Sequence, residues 1–234
     1  MPIHLRPTAP IAADAILPGD PGRALALAQS LLTEPVMSNH NRGLWGYYGL
    51  TEDEMPLTIQ ATGMGGPSAA IVLEELAGLG VRRAVRVGSC GALSDGLEVG
   101  DALRVEAALA GDGTSRALGA NGTIASDATL DAALAEALPE ARPAVIATTD
   151  LFYDPDPERA SDWQRAGAVA VEMEAAALFQ AGLRAGVRVA CLLVVSDAPA
   201  GGGGKRLDDE ELGAGAERLA RGAVSALRSA ARSG

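Results

Sequence analysis

Val187-Arg188-Val189-Ala190-Cys191-Leu192-Leu193-Val194-Val195-Ser196-Asp197 is the stretch that decides the fold. Residues 187–195 are apolar nearly throughout and lack the polar alternation of a strand with one wet face. Such a run suits a strand buried on both sides, with helices covering each face of a sheet. It ends in a hydroxyl and a carboxylate, Ser196 and Asp197. Ligands of open α/β sheets collect beyond the C-terminal ends of the strands. Asp197 therefore has two readings. It caps the segment that follows, or it is an acid whose pKa is raised so that it can donate a proton.

Outward from that strand, strand-like and helix-like segments alternate along the whole chain. Strands are predicted at residues 13–17, 44–50, 56–61, 84–87, 101–110, 144–148 and 169–171. Helices are predicted at 23–32, 68–79, 129–138, 158–166, 173–185 and 208–231. The 68–79 helix should bury Ile71, Leu73, Leu76 and Leu79 and end on Gly80 as a C-cap. Residues 63–68 form a glycine-rich loop and 111–126 a polar surface excursion. Residues 198–205, with four consecutive glycines, form a flexible loop. No linker and no repeat interrupts the pattern. The expectation is one α/β domain over residues 1–234, a central mixed β-sheet flanked by helices.

Composition narrows the function. The 234 residues carry a formal charge of −11, which disfavours a nucleic-acid or anionic-membrane partner. Phosphate chemistry would need locally placed arginines, not a basic field. Cys90 and Cys191 have no metal-ligand spacing and read as small core residues. The N-terminus shows no apolar signal region, and no stretch is long enough to span a bilayer, so a cytoplasmic location is expected.

Three further clusters sit where apolar runs end. In Val171-Glu172-Met173-Glu174-Ala175-Ala176 two acids flank a methionine at a strand-to-helix junction. Unpaired buried charge is costly, so these carboxylates should hold something. A sugar diol fits, because hydroxyls donating to a carboxylate make strong bonds; the plainer reading is charge at a helix N-terminus. Leu17-Pro18-Gly19-Asp20-Pro21-Gly22-Arg23 reads as a turn into a helix start, a ready anion site with a guanidinium beside it. Arg86 interrupts the buried strand in Val85-Arg86-Val87 and is followed by Gly88-Ser89-Cys90-Gly91. Arginine is rarely buried unless paired, so Arg86 either faces water from an edge strand or meets a ligand that the glycines allow to approach. Neither tract is a P-loop or a dinucleotide fingerprint. Phe152 and Tyr153 could stack on a base or close a core edge. His4 lies near the terminus, where side chains are usually without function.

Taken together, the chain resembles the nucleoside phosphorylase-I family, and within it the hexameric bacterial purine nucleoside phosphorylases. The resemblance is carried by His4, Gly19–Arg23, Asn41-Arg42-Gly43, Gly63-Met64-Gly65 with Pro67-Ser68, Arg86–Ala92, Asp150–Tyr153, Val171–Ala176 and Ser196-Asp197. It implies phosphate-dependent cleavage of purine nucleosides. Inorganic phosphate would be the co-substrate, and no cofactor or metal is implied. Gly19, Arg23, Arg86 and Ser89 would bind phosphate, joined by Arg42 of a neighbouring subunit. Glu174 would hold the ribose hydroxyls, with Met173 against the sugar. The neighbour's His4 would reach the sugar's 5′ end. Phe152 would pack on the base, Val171 and Glu172 would line its pocket with Met64, Cys90, Gly91 and Ser196 around the substrate, and Asp197 would protonate purine N7. A homo-oligomer is implied, a hexamer built as a trimer of dimers.

One position departs from the family pattern. Purine members carry an arginine after the Ser-Asp pair that helps trigger proton donation; at that spacing this chain has Glu210. Arg206 is the candidate activator. Competing readings are a nucleoside hydrolase of the same fold, a uridine or 5′-methylthioadenosine phosphorylase, and a non-catalytic nucleoside-binding protein. Arg23, Arg42 and Arg86 favour phosphorolysis over hydrolysis. The Gln-x-Arg pair of uridine phosphorylases is not seen, and binding alone needs no acid at Asp197.

Overall fold

The computed structural model describes residues 2–198 and 206–232. In chain order the elements are β1 (Asp14–Leu17), α1 (Pro21–Leu31), β2 (Thr33–Asn39), a 3-10 turn (Asn41–Gly43), β3 (Gly46–Leu50), β4 (Pro56–Gln60), α2 (Gly66–Leu79), β5 (Arg83–Ala92), β6 (Ala102–Ala110), α3 (Gly113–Ala117), β7 (Thr123–Ala125), α4 (Ala128–Ala137), β8 (Arg142–Thr148), α5 (Arg159–Arg165), β9 (Ala170–Glu172), α6 (Ala175–Ala185), β10 (Arg188–Asp197) and α7 (Asp209–Arg232). The expected α/β architecture with a mixed sheet is what the chain forms.

The sheet closes on itself at one end. β10 is parallel to β5 and antiparallel to β6; β6 is parallel to β8, β8 to β9, and β9 returns antiparallel to β5. Beyond this ring β5 also pairs with β1, which continues through β4, β3 and β2 to an open edge. β5 is thus shared: residues 83–86 lie between β1 and β10, while Gly91 and Ala92 pair with β9.

β10 explains the unbroken apolar run. Its odd-numbered side chains Cys191, Leu193 and Val195 join a core with Leu73 and Leu76 of α2 and Leu178 of α6. Its even-numbered Ala190, Leu192 and Val194 join a second core with Leu27 of α1, Leu134 of α4 and Leu219 of α7. Each fully buried aliphatic side chain contributes about 1.5–3 kcal/mol, and both faces of one strand collect that gain.

Several elements differ from expectation. β2 is an additional strand. Thr33 to Met37 are exposed, Pro35 removes a ladder donor, and Glu34 sits at φ 48°, so no alternation marked it. The 111–126 excursion contains α3 and β7. In α2 the buried residues are Gly66, Ala69, Ala70, Val72, Leu73 and Leu76, while Ile71 is 41% exposed; small residues, not Ile71, make the packing face. Gly80 does cap α2 in the left-handed conformation. The loop expected at 198–205 lies outside the described residues from 199 onward. Among the described residues no helix is long and apolar enough to cross a membrane.

Candidate active site

Arg86 is buried on β5 with 4% exposure, not on an edge facing water. Its Nε donates to Glu172 (3.0 Å) and its Nη2 to Glu174 (2.5 Å). Burial alone would lower its pKa, but Glu174 and Glu172 more than reverse this and hold the guanidinium charged. Nη1 is buried without a hydrogen-bond partner among the described residues. A Cβ placed on Gly19 would lie 3.9 Å from it, so this orphan donor faces the Gly19 turn. Asp20 caps α1 there, accepting from the Arg23 amide at 2.7 Å. The Arg23 side chain has a lowered pKa, first from burial and further from the charge of Arg86, although Asp20 opposes both. Two guanidiniums, a helix N-terminus and an unsatisfied donor converge where an anion would relieve their repulsion.

Glu172 is saturated by the protein itself. Besides Arg86 it accepts from Thr148 Oγ1 (2.7 Å) and from the amides of Glu174 and Ala175 (2.9 Å each) at the start of α6. Burial above all raises the pKa of its carboxyl, with the charge of Arg86 opposing. Every one of these partners is a donor. Both sequence readings of this acid pair have a place. Glu172 serves the helix start and locks Arg86. Glu174 takes the Gly65 amide on Oε1 (2.6 Å) and Arg86 on Oε2, and keeps further lone-pair capacity facing the cavity it lines. Gly65 reaches it from a loop in which Gly63 and Gly65 adopt φ 72° and 85°.

Two glycines of β5 line the cavity and also make room for side chains of the protein. A Cβ on Gly88 would meet Arg86 Nη2 at 2.7 Å and Cζ at 2.8 Å. A Cβ on Gly91 would meet Asp197 Oδ2 at 2.9 Å and Val171 Cγ1 at 3.7 Å. Asp197 thus lies over Gly91, where the β5–β10 register shifts between Val195 and Asp197. Its Oδ1 accepts from Ser196 Oγ at 2.7 Å. Arg206 pairs with Asp197 through the backbone in an isolated antiparallel β-bridge, supported by Leu207 N donating to Ser196 O at 2.9 Å. Glu210 is exposed in the first turn of α7.

Arg23, Arg86, Glu172, Glu174, Asp197 and Arg206 share one cavity of about 700 Å³. It is lined by Gly19, Arg23, Met64, Arg86, Ser89, Cys90, Gly91, Phe152, Val171, Glu172, Met173, Glu174, Ser196, Asp197 and Arg206, which the sequence had nominated. A model of the phosphorylase superfamily matches residues 14–232. The chain belongs to the phosphorylase superfamily. Among curated members of similar sequence is the DeoD-type purine nucleoside phosphorylase of Clostridium novyi (strain NT), 35% identical over 196 residues, covering 80% of this chain and 83% of that one. A second is the DeoD-type purine nucleoside phosphorylase of Geobacillus kaustophilus (strain HTA426), 35% identical over 205 residues, 84% of this chain and 86% of that one. A third is the guanosine phosphorylase of Halorubrum lacusprofundi, 36% identical over 207 residues, 85% of this chain and 84% of that one.

Two nominated residues of this phosphorylase-superfamily chain do not line its cavity: His4 and Arg42. They lie together elsewhere. Asn41 Nδ2 donates to the His4 carbonyl at 2.7 Å, and Arg42 is exposed at φ 59°. The His4 segment is not loose: the Glu75 carboxylate accepts from the amides of Ile3, His4 and Leu5. Burial would raise the Glu75 pKa, and these three amides outweigh it and hold it low. The sequence reading had not nominated Asp154, Asp156, Arg159 and Trp163, which line the cavity's remaining wall. Their signal was available in Asp154-Pro155-Asp156-Pro157, two acids held by two prolines beside Phe152.

Proposed function

We propose that this chain is a purine nucleoside phosphorylase. It transfers a pentosyl group from a purine ribo- or deoxyribonucleoside to inorganic phosphate, releasing free base and (deoxy)ribose 1-phosphate. The observation that carries the reading is the buried, unpartnered Nη1 of Arg86 beside Gly19 and Arg23, in the same cavity as Glu174 and Asp197. The relatives above, purine nucleoside and guanosine phosphorylases, point the same way.

The bond that breaks joins C1′ to N9. Positive charge develops on the sugar and negative charge on the base. Phosphate held by Arg23, Arg86, Ser89 and the Gly19 turn supplies the nucleophile and a counter-charge for the cationic sugar. Glu174 orients the ribose by accepting from its hydroxyls, with Met173 against the ring. Asp197, kept in place by Ser196, gives its proton to N7, assistance worth about two to four powers of ten in rate. Arg206, bridged to Asp197, takes the part of the arginine that Glu210 replaces. The exposed Met64, Leu151 and Phe152 of the cavity lining await cover from a second subunit, whose His4 and Arg42 complete the site. The assembly is a hexamer built as a trimer of dimers, and it works in the cytoplasm.

The test is to follow base release from inosine, guanosine and adenosine against phosphate concentration. Saturable dependence on phosphate with sugar 1-phosphate as product supports the reading. Equal rates in phosphate-free buffer would make the chain a hydrolase.

A further inference from the structure

The wall formed by residues 149–163 carries charges that phosphorolysis does not use. Asp154 and Asp156 each spend one oxygen on their own turn: Asp154 Oδ1 accepts the Asp156 amide at 2.9 Å, and Asp156 Oδ1 the Glu158 amide at 3.0 Å. Their other oxygens hold one guanidinium. Arg159 Nε lies 3.3 Å from Asp154 Oδ2, and Nη2 lies 3.2 Å from Asp156 Oδ2. All three side chains line the cavity, with Phe152 and Trp163 beside them. The plainer reading is a surface ion-pair cluster that steadies a loop. Pairs this long and this exposed contribute about 0–1 kcal/mol, and α5, which Arg159 opens, has no buried residue to hold in place. Stability gives little reason for the arrangement.

Recognition gives a better one. A guanidinium has five donors, and the contacts to the two carboxylates run through Nε and Nη2, so the Nη1 donors are not used by this pair. A purine held at N7 by Asp197 and through its sugar by Glu174 has one polar edge left, from C6 through N1 to C2. A 6-oxopurine offers an acceptor at O6 and a donor at N1–H. A 6-aminopurine offers the reverse, which sets donor against donor at the guanidinium and lone pair against lone pair at the carboxylate.

We infer that Arg159, oriented by Asp154 and Asp156, selects the base: it donates to a 6-oxo oxygen while Asp156 Oδ2 accepts the N1–H, so the substrates are 6-oxopurine nucleosides. This rests on the phosphorolysis reading and adds the base preference to it. Polar edges read by hydrogen-bonding groups discriminate better than apolar ones.

The experiment compares kcat/KM for inosine, guanosine, adenosine and uridine at saturating phosphate in the wild type, Arg159→Ala and Asp156→Asn. The wild type should favour inosine and guanosine over adenosine by about 10²-fold or more. Arg159→Ala should lower kcat/KM for inosine by about 10–10²-fold, change adenosine less than about threefold, and leave the KM for phosphate unmoved. Asp156→Asn should follow the same pattern, and since α5 is exposed both variants should melt as the wild type does. Equal cleavage of adenosine and inosine by the wild type overturns the inference, as do equal losses on both nucleosides in the variants or uridine as the best substrate. If the wild type cleaves no nucleoside, the phosphorolysis reading itself fails and this one falls with it.

Discussion

Asp197 and Glu172 separate two kinds of acid within one cavity. Asp197→Asn keeps size and hydrogen bonding but removes the proton. Turnover of an ordinary purine nucleoside should fall by about two to four powers of ten, while a substrate already methylated and cationic at N7 should be cleaved nearly as before. Equal losses on the two substrates, measured side by side, would remove Asp197 as the donor. Glu172 should behave differently. Its substitution leaves Arg86 with one carboxylate in a site where both partners are almost completely buried. Glu172→Ala should cost about 3–5 kcal/mol of stability, read by urea unfolding. A change under about 1 kcal/mol would mean that the ion pair is not the lock described above. The sequence made Arg86 conspicuous because Val85 and Val87 flank it. It could not show that the partners are Glu172 and Glu174, because they lie more than eighty residues away and reach Arg86 only when β9 returns antiparallel to the end of β5.

At the scale of elements, β5 and the N-terminal segment carry the predictions. Residues 88–91 lie beyond the strand expected at 84–87, because glycines carry no side chain to signal a strand. In fact they continue β5, and their missing Cβ atoms are filled by Arg86 and Asp197. Gly91→Ala should therefore displace the Asp197 carboxylate and reduce kcat by about 10-fold or more, against little change in the KM for phosphate. An unchanged kcat would show that Asp197 need not lie where it does. The N-terminal segment hangs on Glu75. A carboxyl with a lowered folded-state pKa contributes stability above its unfolded pKa and loses it as pH falls through the folded value. Protection of the amides of residues 3–5 against hydrogen exchange should persist at neutral pH and disappear below the ordinary glutamate range, about pH 4. Glu75→Gln should weaken that protection already at neutral pH. Long helices and both-face-buried strands were legible from their periodicity. β2 was not, since an exposed edge strand with a proline has no apolar pattern to read.

For the whole molecule, one chain supplies the cavity but leaves His4 and Arg42 outside it, tied to each other through Asn41. If these residues complete a neighbour's site, mixing Arg42→Ala with Arg86→Ala protein should restore activity that neither has alone, because hybrid dimers carry one intact site. No recovery under conditions of proven subunit exchange would count against shared sites. The fold and most of the cavity were readable because each polar cluster falls at the end of an apolar run. The wall of Asp154, Asp156 and Arg159 was marked only by two acids and two prolines beside Phe152, a pattern that a solvent-facing loop shares. The central claim is that phosphate itself attacks the sugar, and the fate of its oxygens tests this most directly. With phosphate carrying ¹⁸O at all four positions and inosine as substrate, mass spectrometry of the product should find sugar 1-phosphate that retains all four labels. Free ribose bearing an oxygen from solvent, with the label left in inorganic phosphate, would contradict the account.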